Sequence, residues 1–311
     1  MLSPPGELNV TISPSSVLVP IIGGRAYERV RAIKTLGYLP NIRKPRTFNE
    51  MLMHRKFVKP LPNSAMLADK WRVREFVRSR LGSHVLNDVL CVTDDPDKIE
   101  FDGLPNAFVI KMNNASSRTL LIFDKDKADI ASVREKLRHW LAQPFGYLSG
   151  ETFYLDIKPL ILVERLIGDG IHSPDDYKFH VFHGRVAYVE VHEDRFNPDQ
   201  SKHTARFYDR DWKPQDFTNG EPLGPIAPRP ATFAAMVAAA ECLAADVDYI
   251  RVDLYSTHER VIFGELTLVP AYGHAPFSPR DVDFHFGELW RIQAKETPQQ
   301  GAGVFRNKME A

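Results

Sequence analysis

Two acidic residues in the C-terminal third of the chain carry the clearest chemistry. Asp253 and Glu265 lie in short segments whose side chains alternate between apolar and polar, a pattern typical of β-strands. A hairpin centred on Glu259 sets Asp253 opposite Glu265 and Arg251 opposite Thr267. Opposed side chains in an antiparallel pair have Cβ atoms ~4.5–5.5 Å apart, and like charges at that distance repel. The spacing therefore predicts a cation beside the two acids.

Two interpretations of this acidic pair stay open on the residues alone. In the first, Asp253 and Glu265 hold Mg²⁺, which proteins bind with one or two carboxylates completed by water and substrate phosphates, and Arg251 meets a phosphoryl oxygen. In the second, this face of the ribbon is solvated and Arg251 neutralises both acids. Phe263 falls on the same polar face. The opposite face is predicted to join the core with the side chains of Ile250, Val252, Leu254, Ile262, Leu266 and Leu268.

Composition and charge narrow the class of protein. The 311 residues exceed a typical single core, so two or three subdomains are expected. Forty acidic and forty basic side chains give a formal net charge of zero, which argues against binding nucleic acid or an anionic membrane by bulk charge. Cys91 and Cys242 are too few for a disulfide framework, and the apolar run 16–22 is too short to span a bilayer. We therefore expect a cytoplasmic protein without membrane insertion.

Changes in composition along the chain divide it into four stretches that position the acidic hairpin. A mainly helical opening precedes two α+β units, and a polar, glycine-containing segment ends the chain. The predicted boundaries are 1–84 for the helical region, 85–166 for the smaller α+β subdomain, 167–295 for the C-terminal subdomain with the metal site, and 296–311 for a flexible tail.

Local patterns predict the individual elements. Thr47 and Glu50 have capping-box spacing, which marks a helix start, and glycines mark helix ends at Gly37 and Gly82. Short apolar or alternating segments indicate strands. The predicted helices are 25–36, one from 47, 67–77, 130–143 and 231–245, and the predicted strands of the middle region are 88–92, 107–111, 120–123, 160–164, 177–183 and 185–191.

A loop in the middle region has the residue types that nucleotide phosphates require. Lys111 ends a predicted strand, and Asn113, Ser116 and Ser117 follow among small side chains whose backbone N–H groups could face phosphates. The alternative is an ordinary solvated loop. Glu164, at the end of another strand, is either an acceptor for an adenine amino group or an acid at an ordinary strand end.

Lys178 and three histidines lie in or after the hairpin that turns at His183. Lys178 either points into the cleft or lies at the surface of an edge strand. His180 and His183 fall on opposite faces of the strand, and no cysteine lies near His192. We interpret all three histidines as ordinary strand and turn residues.

Six segments follow one another in a distinctive order along the chain. They are Asp69-Lys70-x-x-x-Arg74, Phe108-Val109-Ile110-Lys111-x-Asn113, Val163-Glu164-Arg165-Leu166, Asp175-Asp176-Tyr177-Lys178-Phe179, Arg251-Val252-Asp253-Leu254-Tyr255 and Gly264-Glu265-Leu266-Thr267-x-x-Pro270. In this order they resemble the ATP-grasp superfamily, and most closely its TupA-like branch, which is similar to a teichuronopeptide-synthesis protein. The resemblance runs from about Pro45 to Pro279, and the ordered series is far more specific than any one segment.

The resemblance implies an α+β protein of the ATP-grasp fold, with two α+β subdomains that clamp ATP and a short, mainly helical N-terminal region. It implies that Asp253 and Glu265 hold Mg²⁺, with Thr267 as a further ligand candidate where many relatives have Asn. Arg251 is implied as the catalytic residue that stabilises the transferring phosphoryl group. The implied ATP-binding residues are Arg74 and Lys111 at the phosphates, Glu164, Arg165 and Leu166 at the adenine hinge, and Asn113, Ser116, Ser117 and Lys178.

One loop departs from the family pattern. Relatives commonly have Asn-His-Gly-Ser-Gly where this chain has Asn113-Asn114-Ala115-Ser116-Ser117. A glycine there allows a positive φ and a close approach of backbone to phosphate. The carboxylates of the hairpin and Arg251 are retained, which favours an active enzyme over a decayed fold.

Relatives typically phosphorylate a carboxylate with ATP and join the acyl phosphate to an amine. The resemblance therefore implies an ADP-forming ligase whose cofactors are ATP and Mg²⁺. Its expected partners are a small-molecule carboxylate and an amine or a glycan acceptor, in surface polysaccharide or in small-metabolite or peptide biosynthesis. Two alternatives stay open: a kinase that phosphorylates a hydroxyl, and a non-catalytic nucleotide-binding module. No oligomeric state is assigned.

Overall fold

Two antiparallel sheets, of four and five strands, organise the computed structural model. It describes residues 21–168, 175–193, 195, 202–257 and 260–292. The helices are α1 (Gly24–Leu36), α2 (Phe48–Phe57), α3 (Ser64–Ala68), α4 (Val73–Leu81), α5 (Ile130–Ala142), α6 (Phe233–Leu243) and α7 (Asp281–Ile292). The strands are β1 (Val89–Thr93), β2 (Phe108–Met112), β3 (Thr119–Ile122), β4 (Ile161–Arg165), β5 (Asp176–Phe182), β6 (Arg185–Glu193), β7 (Thr204–Asp209), β8 (Tyr249–Ser256) and β9 (Val261–Thr267).

The smaller sheet has the order β1-β4-β2-β3 and carries α5 on one face. Leu137 of α5 is fully buried in one apolar cluster with Phe108, Ile110 and Val163 of the sheet. The two central strands, β2 and β4, pair with Val109 opposite Glu164. Since alternate residues share a face, Lys111 lies diagonally across from Glu164.

The larger sheet has the order β7-β6-β5-β8-β9 and is covered on both faces. Phe179 of β5 stacks on Phe233 of α6, whereas Phe182 packs against Phe48 of α2 and Trp290 of α7. Every residue of β5 is buried, as expected of a central strand between two layers. The face with the even-numbered residues of β5 is the one that leads to the cleft.

The capping-box prediction is confirmed. The Thr47 side chain accepts from the backbone N–H of Glu50, and the Glu50 side chain accepts from the backbone N–H of Thr47. Gly37 ends α1 with a left-handed φ of 75°. These local signals operate over a few residues, so sequence alone determines them.

The predicted continuous helix over 67–77 is wrong, because the chain breaks between α3 and α4. Oδ1 of Asp69 accepts from the backbone N–H of Trp71 at 2.9 Å and of Arg72 at 3.2 Å. An aspartate that satisfies neighbouring N–H groups competes with the helical hydrogen bonds. The break turns the backbone N–H of Lys70 towards the carbonyl of Asn113, at 3.1 Å.

The predicted pairing of β8 and β9 is confirmed at the acids. Asp253 lies opposite Glu265, and Arg251 lies opposite Thr267. The hairpin centre that was predicted at Glu259 lies outside the described residues.

A β-bulge follows directly after Asp253 and corrects the predicted register. Beyond it, Leu254 pairs with Phe263. The prediction that Phe263 lies on the polar face is therefore wrong: it shares the core cluster with Leu254. A Cβ at Gly264 would lie 2.9 Å from the carbonyl oxygen of Asp253, so the bulge requires glycine.

Two predictions about the ends of the chain fall on residues outside the description. These are the flexible tail 296–311 and most of the apolar run 16–22. Among the residues that the structure describes, none of the helices has both the length and the apolar character that crossing a membrane requires.

Candidate active site

Asp253 is held by the arginine two residues before it. Nε of Arg251 donates to Oδ1 of Asp253 at 2.7 Å and Nη2 donates to Oδ2 at 2.6 Å. Nη2 also donates to Oγ1 of Thr267 at 3.1 Å. Burial, helped by the neighbouring Asp176 and Glu265, raises the pKa of Asp253 to about 6, although the guanidinium of Arg251 lowers it. The carboxyl group is positioned by a bidentate, charge-assisted pair with Arg251.

Glu265 is held by a lysine from a different part of the chain. Nζ of Lys70 lies 2.8 Å from Oε2 of Glu265 and donates to the carbonyl of Ala115 at 2.9 Å. Burial acts to raise the pKa of Glu265, but the charges of Lys70 and Arg251 hold it at about 2. The two acids are therefore compensated by two cations, and Arg251 alone does not neutralise both.

Glu164 gathers two of the predicted phosphate ligands. Nζ of Lys111 lies 3.0 Å from Oε2 of Glu164, and Nη1 of Arg74 lies 3.7 Å from Oε1. Nη2 of Arg74 donates to the carbonyl of Asn87 at 2.7 Å. Burial acts to raise the pKa of Glu164, but the charges of Lys111 and Arg74 lower it overall. Lys111 of the smaller sheet and Arg74 of α4 are thus already paired with an acid.

Asn113 belongs to the buried structure that supports the site. It is fully buried, and its Nδ2 donates to Oδ1 of Asp69 at 3.0 Å and to the carbonyl of Lys158 at 3.1 Å. Its Oδ1 accepts from the backbone N–H of Leu160 at 2.7 Å. The side-chain amide is engaged with the protein, so Asn113 fixes the turn that carries Lys70.

The loop after Asn113 reaches the cleft through its serines. The hydroxyl of Ser116 lies 3.1 Å from the hydroxyl of Tyr272. Ser117 has a φ of 60°, in the left-handed region. A serine here adopts a conformation that glycine favours.

Lys178 lies on the central strand β5 and is 3% exposed, so the edge-strand interpretation is wrong. Its Nζ donates to Oδ2 of Asp176 at 2.7 Å, and the same oxygen accepts from Arg195. Burial acts to raise the pKa of Asp176, but both cations lower it well below its usual range. Oδ1 of Asp176 has no hydrogen-bond partner among the described residues.

Two cavities meet between the sheets. The first, of about 450 Å³, has an apolar part that includes Val109, Leu121 and Leu166 and a charged part that includes Asp253 and Glu265. The second, of about 280 Å³, lies beside β5, β6 and the turn Pro270–Gly273. The residues that line both cavities are Ser117, Arg195, His203, Glu221 and Glu265.

The structure brings most of the predicted site residues to these cavities. The first cavity is lined by Lys111, Ser117, Leu166, Asp253 and Glu265. The second is lined by Ser116, Ser117, Lys178, Arg251, Glu265 and Thr267. Neither cavity is lined by Arg74, Asn113, Glu164 or Arg165.

Many lining residues were absent from the predicted set, among them Lys70, Asp176, His203 and Glu221. Lys70 and Asp176 lie inside two of the quoted segments, so a signal for them existed. His203 and Glu221 have no such signal, because folding alone brings them to the cleft.

The family comparison covers most of the chain. A sequence model of the family described as TupA-like ATPgrasp matches residues 50–291. No curated protein matches the chain.

Several solved structures are similar to this chain. A D-alanine–D-alanine ligase from Bacillus anthracis, complexed with ATP, is 16% identical, with 75% of this chain and 69% of that chain covered and a TM-score of 0.44. The corresponding ligase from Helicobacter pylori is 13% identical, with 81% and 69% covered and a TM-score of 0.46. The ATP-grasp ligase PsnB, complexed with a minimal precursor, is 14% identical, with 76% of this chain covered and a TM-score of 0.42. The match spans 63% of the length of PsnB.

Proposed function

Because the chain belongs to the TupA-like ATP-grasp family, we propose that it is a ligase that uses ATP and Mg²⁺ to activate a carboxylate and joins it to an amine. The ATP-grasp fold accounts for the two sheets and for the cleft between them. The observation that carries the proposal is the position of Glu265, which lines both cavities and so connects a nucleotide-sized site with a smaller one.

The first cavity suits a nucleotide in volume and in the arrangement of its lining. Ligand sites of about 300–1,000 Å³ usually combine an apolar lining with a few polar groups, and this one measures about 450 Å³. Its apolar wall comes from the smaller sheet and suits a base. Lys70 and Lys111 supply positive charge where phosphates would lie, and both are now paired with acids. We propose that bound phosphates replace Glu265 and Glu164 as the ion-pair partners of Lys70 and Lys111.

The acids of the hairpin suit Mg²⁺. No group of three or more His, Cys, Asp or Glu side chains among the described residues is arranged to hold a metal on its own. Two carboxylates that leave coordination to be completed match an ion that arrives with substrate phosphates. Each oxygen of Asp253 uses one lone pair to accept from Arg251. A carboxylate has about four lone-pair sites, so about two remain for a metal ion. We propose Asp253 and Glu265 as the ligands, with Thr267 as a further candidate.

The second cavity suits the carboxylate to be activated. Arg251 and Lys178 line it, and Glu265 borders it. Its volume of about 280 Å³ fits a group of the size of a uronic acid or an amino acid. A uronic acid would be a building block of a surface polysaccharide, and an amino acid would be one of a small metabolite or peptide. These are the two substrate classes that we place first.

The chain's own residues supply position and charge to this reaction. Bound Mg²⁺ neutralises charge on the phosphates, as in other phosphoryl transfers. Arg251, fixed by its bidentate pair with Asp253, faces the second cavity and would stabilise charge on the group that accepts phosphate. Closure of the two subdomains on the substrates would exclude water, which would protect a reactive acyl phosphate from hydrolysis.

A product screen tests the proposal. The protein is incubated with Mg²⁺, ATP and a panel of uronic and amino acids, with hydroxylamine present to trap an acyl phosphate as hydroxamate. The expected result is hydroxamate and ADP with at least one carboxylate, and amide when an amine replaces hydroxylamine.

The alternatives give different products in the same screen. A kinase would leave phosphate on a hydroxyl and give no hydroxamate. A binding module would be stabilised thermally by ATP and form no ADP with any panel member. Either result would contradict the ligase.

A further inference from the structure

A buried chain of hydrogen bonds on β6 ends at the junction of the two cavities. Glu190 is 2% exposed, and its Oε1 accepts from Nδ2 of Asn219 at 2.8 Å and from Nε2 of His192 at 2.8 Å. Nε2 of His180 lies 3.5 Å from its other oxygen. Nδ1 of His192 lies 2.8 Å from Nε2 of His203. The chain thus runs from the buried carboxylate of Glu190 through the imidazole of His192 to His203, which lines both cavities.

The charge on Glu190 determines which ring nitrogens along this chain carry a proton. Burial acts to raise the pKa of Glu190, but the hydrogen bonds and charges of its neighbours, His192 first, lower it well below its usual range. An ionised carboxylate only accepts hydrogen bonds, so Nε2 of His192 carries a proton. Burial lowers the pKa of His192, although the charge of Glu190 and the hydrogen bond to it act to raise that pKa. When the ring is neutral, its Nδ1 is an acceptor.

The next proton in the chain follows from the same rule. Because Nδ1 of His192 accepts, Nε2 of His203 must donate to it. A neutral His203 then has its lone pair on Nδ1. That atom lies 3.5 Å from Oε2 of Glu221, whose side chain is 41% exposed. While His203 is neutral, a donor that faces both atoms can satisfy them, and an ammonium group is such a donor with a matching charge.

Resting on the proposed ligase function, we propose that an amine binds as its ammonium ion between His203 and Glu221, and that Nδ1 of His203 is the general base for its attack. The nitrogen lone pair of the amine forms the bond to the acyl carbon. The bond from that carbon to the phosphate oxygen breaks, and its electron pair leaves on phosphate. Two protons leave the nitrogen in this step: the first passes from the ammonium to Nδ1 of His203 and frees the lone pair, and the second, lost after the attack, goes to the departing phosphate. Glu190 and His192 are positioning residues, since they act only through His203.

A comparison of hydroxylamine with an amine as the nucleophile distinguishes the attack of the amine from the activation of the carboxylate. Hydroxylamine is largely neutral at pH 7 and attacks an acyl phosphate without a base, whereas an ammonium ion must first lose a proton. General bases contribute typically 10²–10⁴-fold. We therefore expect His203→Gln to lower the ratio of amide to hydroxamate by about 100-fold or more, with ammonium chloride and glycine amide as the amines and D-glucuronate and L-glutamate among the carboxylates.

Matched variants and a rescue separate a chemical role from a structural one. His139→Gln changes an exposed histidine on α5 and should keep the wild-type ratio. Added imidazole should restore amide formation to His203→Ala. In ¹⁵N NMR spectra, His192 and His203 should both carry their proton on Nε2 when neutral, and Glu190→Gln should change this pattern without any substrate present.

The outcomes distinguish this inference from the proposed function. An unchanged ratio of amide to hydroxamate in His203→Gln, including equal falls in both products, would overturn the role of His203 and leave the ligase chemistry standing. A wild type that gives hydroxamate but no amide with either amine would do the same. A wild type that gives no hydroxamate with any carboxylate would overturn both.

Discussion

At the scale of single residues, Glu265 is where separate parts of the chain meet. It pairs with Asp253 across the hairpin, and its charge is compensated by Lys70 from the turn after α3. Oγ1 of Thr267 lies 3.5 Å from its other oxygen. A carboxylate held this way can exchange a lysine for a metal with little movement of its own strand.

Glu265→Gln should therefore remove turnover and keep the fold. The amide keeps its shape and can still accept from Lys70, but it loses the charge that Mg²⁺ requires. We expect ADP formation to fall by about 100-fold or more, as for loss of a major electrostatic contact in other enzymes, and the free energy of unfolding to change by less than about 2 kcal/mol. Steady-state kinetics and urea unfolding measure the two quantities.

Glu135→Gln is the matched control, because Glu135 lies exposed on α5. It should behave as wild type in both measurements. Near-normal turnover in Glu265→Gln would remove Glu265 from the metal site.

Glu151 should make stability depend on pH. It is 4% exposed, and burial raises its pKa to about 7, although the charge of Lys56 and a hydrogen bond from Ser149 lower it. An acid whose pKa is raised on folding stabilises the fold while protonated, below its unfolded pKa. That contribution is lost as pH rises through about 7.

The variant Glu151→Gln isolates this effect. Between pH 5 and pH 8 the wild type should lose about 2 kcal/mol of unfolding free energy relative to the variant. Urea unfolding of both proteins at the two pH values measures the difference. Parallel pH dependence in the two proteins would show that Glu151 does not titrate in this range.

At the scale of elements, the turn between α3 and α4 positions the cations of the site. Asp69 is 2% exposed and accepts from Trp71, Arg72 and Asn113. Asp69→Ala should cost about 3 kcal/mol, because buried donors lose their acceptor. It should also weaken nucleotide binding, since Lys70 directly follows Asp69.

A second capping aspartate provides the comparison for that turn. Asp129 is exposed and accepts from the backbone N–H of Ser132 at the start of α5. Asp129→Ala should cost about 1 kcal/mol and leave nucleotide affinity unchanged. Calorimetric ADP titration and urea unfolding of both variants test this contrast. Equal ADP affinity in Asp69→Ala and wild type would contradict the positioning role.

The elements that sequence predicts are those with local causes. Alternation indicates β8 and β9, and the pair Asp253–Glu265 follows from their spacing. The bulge beside Gly264 does not follow from the spacing, because it depends on how closely the backbone of β8 approaches Gly264. At the break, Asp69 accepts from the nearby Trp71 and Arg72 but also from Asn113, which is distant in sequence and which local patterns do not reveal.

The same distinction holds for the site. Asp253, Glu265, Arg251 and Lys111 lie in ordered segments, and the structure places them in the linings of the two cavities. His203 has no such context, and only the folding of β7 beside β6 brings it to His192.

At the scale of the whole molecule, the two sheets supply different parts of one site. The smaller sheet gives Lys111 and the apolar wall, and the larger sheet gives Asp253 and Glu265. Lys70 joins them, because it bonds to the carbonyl of Ala115 and to Glu265. We propose that the units predicted at 85–166 and 167–295 close on ATP through such contacts.

The central claim is that the hairpin acids bind Mg²⁺ together with a nucleotide, and calorimetric titration with ADP tests it without knowledge of the other substrates. In the wild type, Mg²⁺ should strengthen ADP binding by about tenfold or more, which corresponds to about 1.4 kcal/mol. In Asp253→Asn that gain should disappear while ADP alone still binds. An equal gain from Mg²⁺ in both proteins, or no ADP binding by the wild type, would contradict the account.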